Sequence, residues 1–154
     1  MSKILTHFNG GVAVITGAGS GIGASLARLA AENAMRVVVA DIAIDRAQQV
    51  VDEIQAAGGE AIAVQTDVAV PEALDRLAAI THEQFGDVTL LVNNAGIETL
   101  GFAWEIPAEL WEKTLHINIH GVIHGVRAFV PRMVAAGKPA WIANTSSIGG
   151  LGMM

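Results

Sequence analysis

The stretch "VAVITGAGSGIGASLARLA" (residues 12–30) holds the densest set of residues suited to ligand chemistry. An apolar run leads into Gly17, Gly19, Gly21 and Gly23, and an amphipathic pattern starts at once. Glycines at such a junction allow a tight turn and close approach of the backbone to a ligand, and they aim free helix N–H groups at an anion. Ser20 and Ser25 add hydroxyl donors. A plain turn is the other use of such glycines. Against it stands Asp41, which ends the next apolar run, "RVVVAD", 18 residues beyond Gly23. A carboxylate at that offset meets the hydroxyls of an adenosine ribose. Its charge repels a 2′-phosphate, and "DIAID" sets no arginine beside it; Arg46 comes later in the chain. The pattern favours NAD(H) over NADP(H), with a turn-capping role as the alternative for Asp41.

Further polar residues fall where chemistry is often placed. "NNAG" (93–96) closes an apolar run, Asn118 interrupts a helical pattern, and Ser146 and Ser147 end the last strand-like run. Each has a structural alternative: an Asx-type turn, a buried hydrogen bond within a helix, a capped strand end. His116, His120 and His124 recur every fourth residue and form one stripe, with Glu112 one turn before it. Two histidines so spaced can share a cation, but no further ligand joins the stripe at helical spacing, so no metal site is expected. Asn118 points roughly 160° from the centre of the stripe, so one helix cannot present both to a single reacting carbon. A core surface is the plainer reading of the stripe.

These groups need elements to position them. Apolar runs at 11–17, 36–41, 60–67, 88–96 and 140–147 read as strands, each ending in Gly, Asp, Asn or Ser. Helical spacing covers 21–34, 45–58, 71–86 and 107–137. Pro71 and Pro107 suit first turns, and Pro131 is expected to kink the long helix. Five strands alternating with four helices predict an α/β fold, a doubly wound parallel sheet of the Rossmann type. With 154 residues and no repeat or linker, residues 1–154 read as one domain. The 52% hydrophobic content and 17 glycines suit strands covered on both faces.

Composition removes other classes. The net charge is −6 with Lys and Arg scattered, so there is no footprint for nucleic acid or for an anionic membrane surface. Absent cysteine rules out disulfides and thiolate chemistry. "MSKILTHFNGG" has no secretory character, and no run approaches the ~18 apolar residues of a membrane span, so a cytoplasmic protein is expected.

The motifs, taken in order, resemble the short-chain dehydrogenase/reductase family. "TGAGSGIG" (16–23) is similar to its TGxxxGxG cofactor signature and "NNAG" to its next signature; "TDV" (66–68), "HINIHG" around Asn118 and "ANTSSIGGL" (143–151) follow at the family's distances. The resemblance implies strand order 3-2-1-4-5 and a set of roles. Gly17, Gly19, Ser20, Gly21, Ile22 and Gly23 would hold the pyrophosphate side of NAD, and Asp41 the ribose. Asp67 and Val68 would flank the adenine, and Asn94 and Gly96 would lie along the cofactor while Asn93 fixes the strand. Asn118 would hold a water in a proton relay, and Ser147 would position the substrate, a small alcohol or ketone. The long helix 107–136 would pair subunits into a homo-oligomer.

The family's reaction also needs a tyrosine acid/base and a lysine in a Y-x-x-x-K helix beyond Ser147. A phenol with an ordinary pKa near 10 exchanges protons at neutral pH only beside a cation that stabilises its phenolate. These 154 residues contain no tyrosine. The chain is therefore expected to be the amino-terminal, NAD-binding part of such an oxidoreductase, incomplete and inactive alone, with its last strand left as an exposed edge. The alternative is a non-catalytic dinucleotide-binding or assembly module pairing with another chain. Leu100, Phe102 and Trp104, in "IETLGFAWEIP", line an apolar pocket or pack in the core.

Overall fold

The computed structural model describes residues 8–147. Five parallel strands form one sheet in the order β3-β2-β1-β4-β5. They are β1 (Val12–Thr16), β2 (Arg36–Asp41), β3 (Glu60–Gln65), β4 (Leu90–Asn93) and β5 (Trp141–Asn144). Between them run α1 (Gly21–Glu32), α2 (Ile44–Ala56), α3 (Pro71–Gln84), then α4 (Ala108–Leu115) and α5 (Gly121–Ala136). This is the doubly wound Rossmann sheet that the alternating pattern predicts.

The strands are apolar at nearly every position because both faces are covered, and successive side chains point to opposite faces. Ala13, Ile15, Val37 and Val39 face α1 and α2, where Ala24, Ala27, Val50 and Ile54 meet them. Val12, Val14, Val38 and Leu91 face the other way, onto Leu74 and Leu77 of α3 and Phe129 and Met133 of α5. The alanines of α1 keep that helix close over the sheet.

Two features differ from the sequence reading. The fourth and fifth strands stop at Asn93 and Asn144, so "NAG" and "TSS" leave the ladder. The long helix of 107–137 is helical without a break from Ala108 to Ala136, but α4 and α5 are joined by a π turn, His116–His120, in which the Gly121 N–H reaches back to the His116 carbonyl. Pro131 lies inside α5, which runs on to Ala136. Pro71 takes the first helical position of α3, as its fixed φ favours, while Pro107 stands just before α4. As expected of an edge, all four residues of β5 are exposed.

One partly buried group ties stability to pH. His82 of α3 donates Nδ1–H to the Gly86 carbonyl (2.9 Å), and its Nε2 is buried without a partner among the described residues. Protonation would bury an N–H with no acceptor. Burial first, and the Arg132 charge second, hold the imidazole below its usual 6.5, against smaller opposing effects of the Gly86 carbonyl and Asp87. Below about that ordinary value the unfolded chain binds the proton more readily than the folded one, so stability falls as pH falls. His82→Gln cannot take the proton, and its melting temperature should lose that part of the decline below pH 6.5. Parallel melting profiles for the two proteins would contradict this origin.

Candidate nucleotide-binding site

The sheet order reverses between β1 and β4, and in open α/β sheets ligands bind at the carboxyl ends of the strands beside such a switch point. An open cleft of about 450 Å³ lies there. Gly17, Ser20, Gly21 and Ile22 form one side, Asp41, Ile42 and Arg46 the next, Thr66 to Val68 the third, and Asn94 to Ile97 with Thr145 the last.

The glycines divide into two kinds of work. Gly17 and Gly21 have positive φ (63° and 53°), which side chains other than glycine rarely tolerate. A Cβ at Gly17 would also stand 2.7 Å from the Ala95 Cα. Gly19 and Gly23 do not line the cleft but pack beneath it. Gly19 lies on the Asp41 carboxylate, 2.9 Å from an added Cβ, and Gly23 lies against the Gly17 carbonyl and the Asn94 amide. Ser20 is the extended residue before α1, with no side-chain cap bond. The Ser25 hydroxyl bonds the Gly21 carbonyl (3.1 Å), as a serine one turn into a helix commonly bonds the preceding turn.

Asp41 joins the loop to β2. Its Oδ2 accepts the Gly19 N–H (2.8 Å) and its Oδ1 the Ala43 N–H (2.9 Å). A carboxylate has about four lone-pair sites, so two remain for ribose hydroxyls. Arg46, remote from Asp41 in sequence, is brought by the first turn of α2 to the cleft wall, its Cβ beside Gly19. Among the described residues it makes no ion pair. Helical spacing from Ile44 carried the signal for its placement.

Asn94 locks β4 to β1. Its Nδ2 donates to the Thr16 and Gly17 carbonyls (3.0 and 3.3 Å), and its Oδ1 accepts the Thr145 hydroxyl (3.1 Å). Asn93 lies below, buried, donating to the Asn144 side chain across the β4–β5 register (2.9 Å). Thr145 was missed by the sequence reading, although it precedes the serine pair. Gly96 lines the cleft. Asn118 sits in the π turn and grips Ile97 at two points, Oδ1 accepting its N–H (2.9 Å) and Nδ2 donating to its carbonyl (2.8 Å). Its carboxamide is thus engaged with the loop after β4. Ser147 lies just past β5, at the same end of the sheet as the cleft, and is not among the cleft-lining residues.

The histidines stay on one face through the π turn, with neighbouring ring centroids 4.8 and 6.2 Å apart. His116 bonds the Glu112 carbonyl and His124 the Val68 carbonyl. Among the described residues no three His, Asp or Glu side chains are grouped to hold a metal ion.

A glycine loop at a helix start, a buried carboxylate at the end of β2 and an asparagine lock thus share one cleft at the switch point, where open α/β sheets bind ligands. The profile of the family described as short chain dehydrogenase matches residues 11–154. This chain belongs to that family. It is 43% identical over 153 residues to a cyclohexanol dehydrogenase of an Acinetobacter strain, covering 98% of this chain and 61% of that protein. Among solved structures, a short-chain dehydrogenase/reductase from Burkholderia phymatum in complex with NAD superposes with a TM-score of 0.94. It is 44% identical, with 96% of this chain and 53% of that one covered. A metagenomic short-chain oxidoreductase in complex with NADP has a TM-score of 0.87 at 34% identity, covering 94% of this chain and 65% of that one. The chain therefore spans about half to two-thirds of the length of these relatives. Among the described residues no helix is long and apolar enough to cross a membrane.

Proposed function

We propose that this chain is the cofactor-binding part of an oxidoreductase that moves hydride between NAD(H) and the alcohol or carbonyl carbon of a small substrate. The observation that carries the reading is the Gly19 N–H on the Asp41 carboxylate (2.8 Å), which couples the glycine loop to the ribose-binding acid in one cleft. NAD supplies hydride chemistry when bound. Gly17 and Gly21 give backbone access for its pyrophosphate, and Asp41 accepts the ribose hydroxyls. Asp67 and Val68 border the adenine, and Asn94 and Gly96 line the path towards the nicotinamide. Asn118 holds the loop after β4 and with it the wall of the reaction site, and Ser147 positions substrate oxygen.

NAD is the preferred cofactor in this reading because Asp41 opposes a 2′-phosphate. Pairing of subunits through α4, the π turn and α5 is supported by the apolar side chains left exposed there, among them Trp111, Leu115, Ile119 and Ile123.

Calorimetric titration of the 154-residue chain tests the binding. NAD should release heat with one site, and NADP should bind more weakly. Stable oligomers with no response to NAD would instead favour the assembly module. Without the tyrosine the chain alone should form no measurable NADH from small secondary alcohols, since loss of a positioned general acid/base costs about 10²–10⁴-fold in rate. Turnover by the isolated chain would overturn that expectation.

A further inference from the structure

The loop that leaves β3 forms the adenine side of the cleft, and it has little structure of its own. Thr66 is anchored by its N–H on the Asp41 carbonyl (2.8 Å). Asp67 then makes a small turn, its side chain accepting the Ala69 N–H (2.9 Å) and its carbonyl the Val70 N–H (3.1 Å). The Val68 side chain is buried in the core on this face of the sheet, 7% exposed, while its backbone carbonyl is held from outside the turn by α5. Gly121 lets the helix approach so closely that an added Cβ would stand 2.8 Å from a Val68 methyl. One turn further on, His124 Nδ1 lies 2.9 Å from the Val68 carbonyl. A carbonyl only accepts, so this nitrogen carries the proton. Arg127 extends the grip to the start of α3, donating to the Pro71 carbonyl (3.2 Å) and pairing with Asp75 (2.8 Å).

We propose that His124 is a positioning residue for the nucleotide: its Nδ1–H, donated to the Val68 carbonyl, fixes the 66–70 turn against α5 and so sets affinity for the adenine half of the cofactor. The proposal rests on the dinucleotide reading above. It gives one histidine of the stripe a role that neither a metal nor a subunit contact requires.

The test compares the 154-residue chain with His124→Leu, which removes the donor, and His124→Asn, whose Nδ2 stands at about the reach of the imidazole Nδ1. Each is titrated with ADP-ribose, which carries the adenine half without nicotinamide, and with NAD. His124→Leu should weaken both by the same factor, about 2- to 10-fold, the net worth of one hydrogen bond. His124→Asn should recover most of it. Hydrogen exchange without ligand supplies a second readout: the Ala69 and Val70 amides should exchange faster in His124→Leu while those of β1 stay unchanged. Equal ADP-ribose affinity in the wild type and His124→Leu, or equal weakening by both variants, would overturn the proposal, as would unchanged exchange at Ala69 and Val70. A wild-type chain that binds neither ligand overturns the dinucleotide reading, and this inference with it.

Discussion

Asp41→Asn is expected to reverse the ratio of NAD to NADP affinity, chiefly by admitting the 2′-phosphate. Two unit charges about 4 Å apart interact by about 4 kcal/mol at an effective dielectric near 20, and Asp41 is only 9% exposed, so screening there is incomplete. Relief of even half that repulsion improves NADP binding by more than tenfold. The same substitution harms the site in a second way. Asp41 accepts N–H groups from Gly19 and Ala43 with separate oxygens, whereas an asparagine offers one oxygen and turns an amide N–H₂ towards the other donor. The glycine loop loosens, and both cofactors lose affinity through it. The ratio of the two dissociation constants is therefore the diagnostic quantity; either constant alone is not. Arg46 decides how far the ratio moves, because it already lines the cleft and has no anionic partner among the described residues. Adding Arg46→Ala to Asp41→Asn should return most of the NADP gain. A ratio unchanged by Asp41→Asn would show that another group excludes the phosphate.

The fate of Arg46 shows where sequence reasoning stops. Distance along the chain made Arg46 seem remote from the ribose, but α2 begins at Ile44 and its first turn folds the arginine back to Gly19. The sheet itself was readable because its signal is redundant: Val12 to Ile15 and Val37 to Ala40 are apolar in unbroken runs, as strands covered on both faces require. The glycine loop and Asp41 were readable because backbone geometry admits few residue types there. The ends of β4 and β5 were overextended for the opposite reason. Asn94 and Thr145 come one residue past the strand ends, where their side chains bond each other and Asn94 also bonds β1, a choice made by neighbours distant in sequence. The π turn left no periodic mark at all, since the histidine stripe repeats every fourth residue with or without it. What holds it in place, Asn118 gripping Ile97, is again a tertiary contact.

Gly125→Ala should destabilise the fold, although alanine is the better helix former. At an open helical position this change gains about 1 kcal/mol. Here the added Cβ would collide with the Asn93 side-chain oxygen and stand 3.1 Å from its carboxamide carbon. Asn93 has little room to move, being 4% exposed and held to Asn144 across the strand pair. Either α5 lifts off β4, opening the packing of Phe129 and Met133, or the carboxamide turns and breaks its bond to Asn144. Overpacking of this kind costs about 1–3 kcal/mol, so the helix preference is outweighed or cancelled. Urea denaturation measures the sign directly, and Gly125→Val, with two more methyl groups, should be worse. The double variant Asn93→Ala with Gly125→Ala separates the causes. Truncating Asn93 removes the group that is struck, so the second substitution should then be neutral or stabilising, with a coupling of about 1–3 kcal/mol between the sites. Additive effects would mean that Asn93 is not what the helix meets. The outcome bears on function as well, because Asn93 precedes the asparagine that locks β4 to the glycine loop. A helix displaced at Gly125 also moves His124 from the Val68 carbonyl, so loss of stability and loss of nucleotide affinity should appear together in Gly125→Ala and recover together in the double variant.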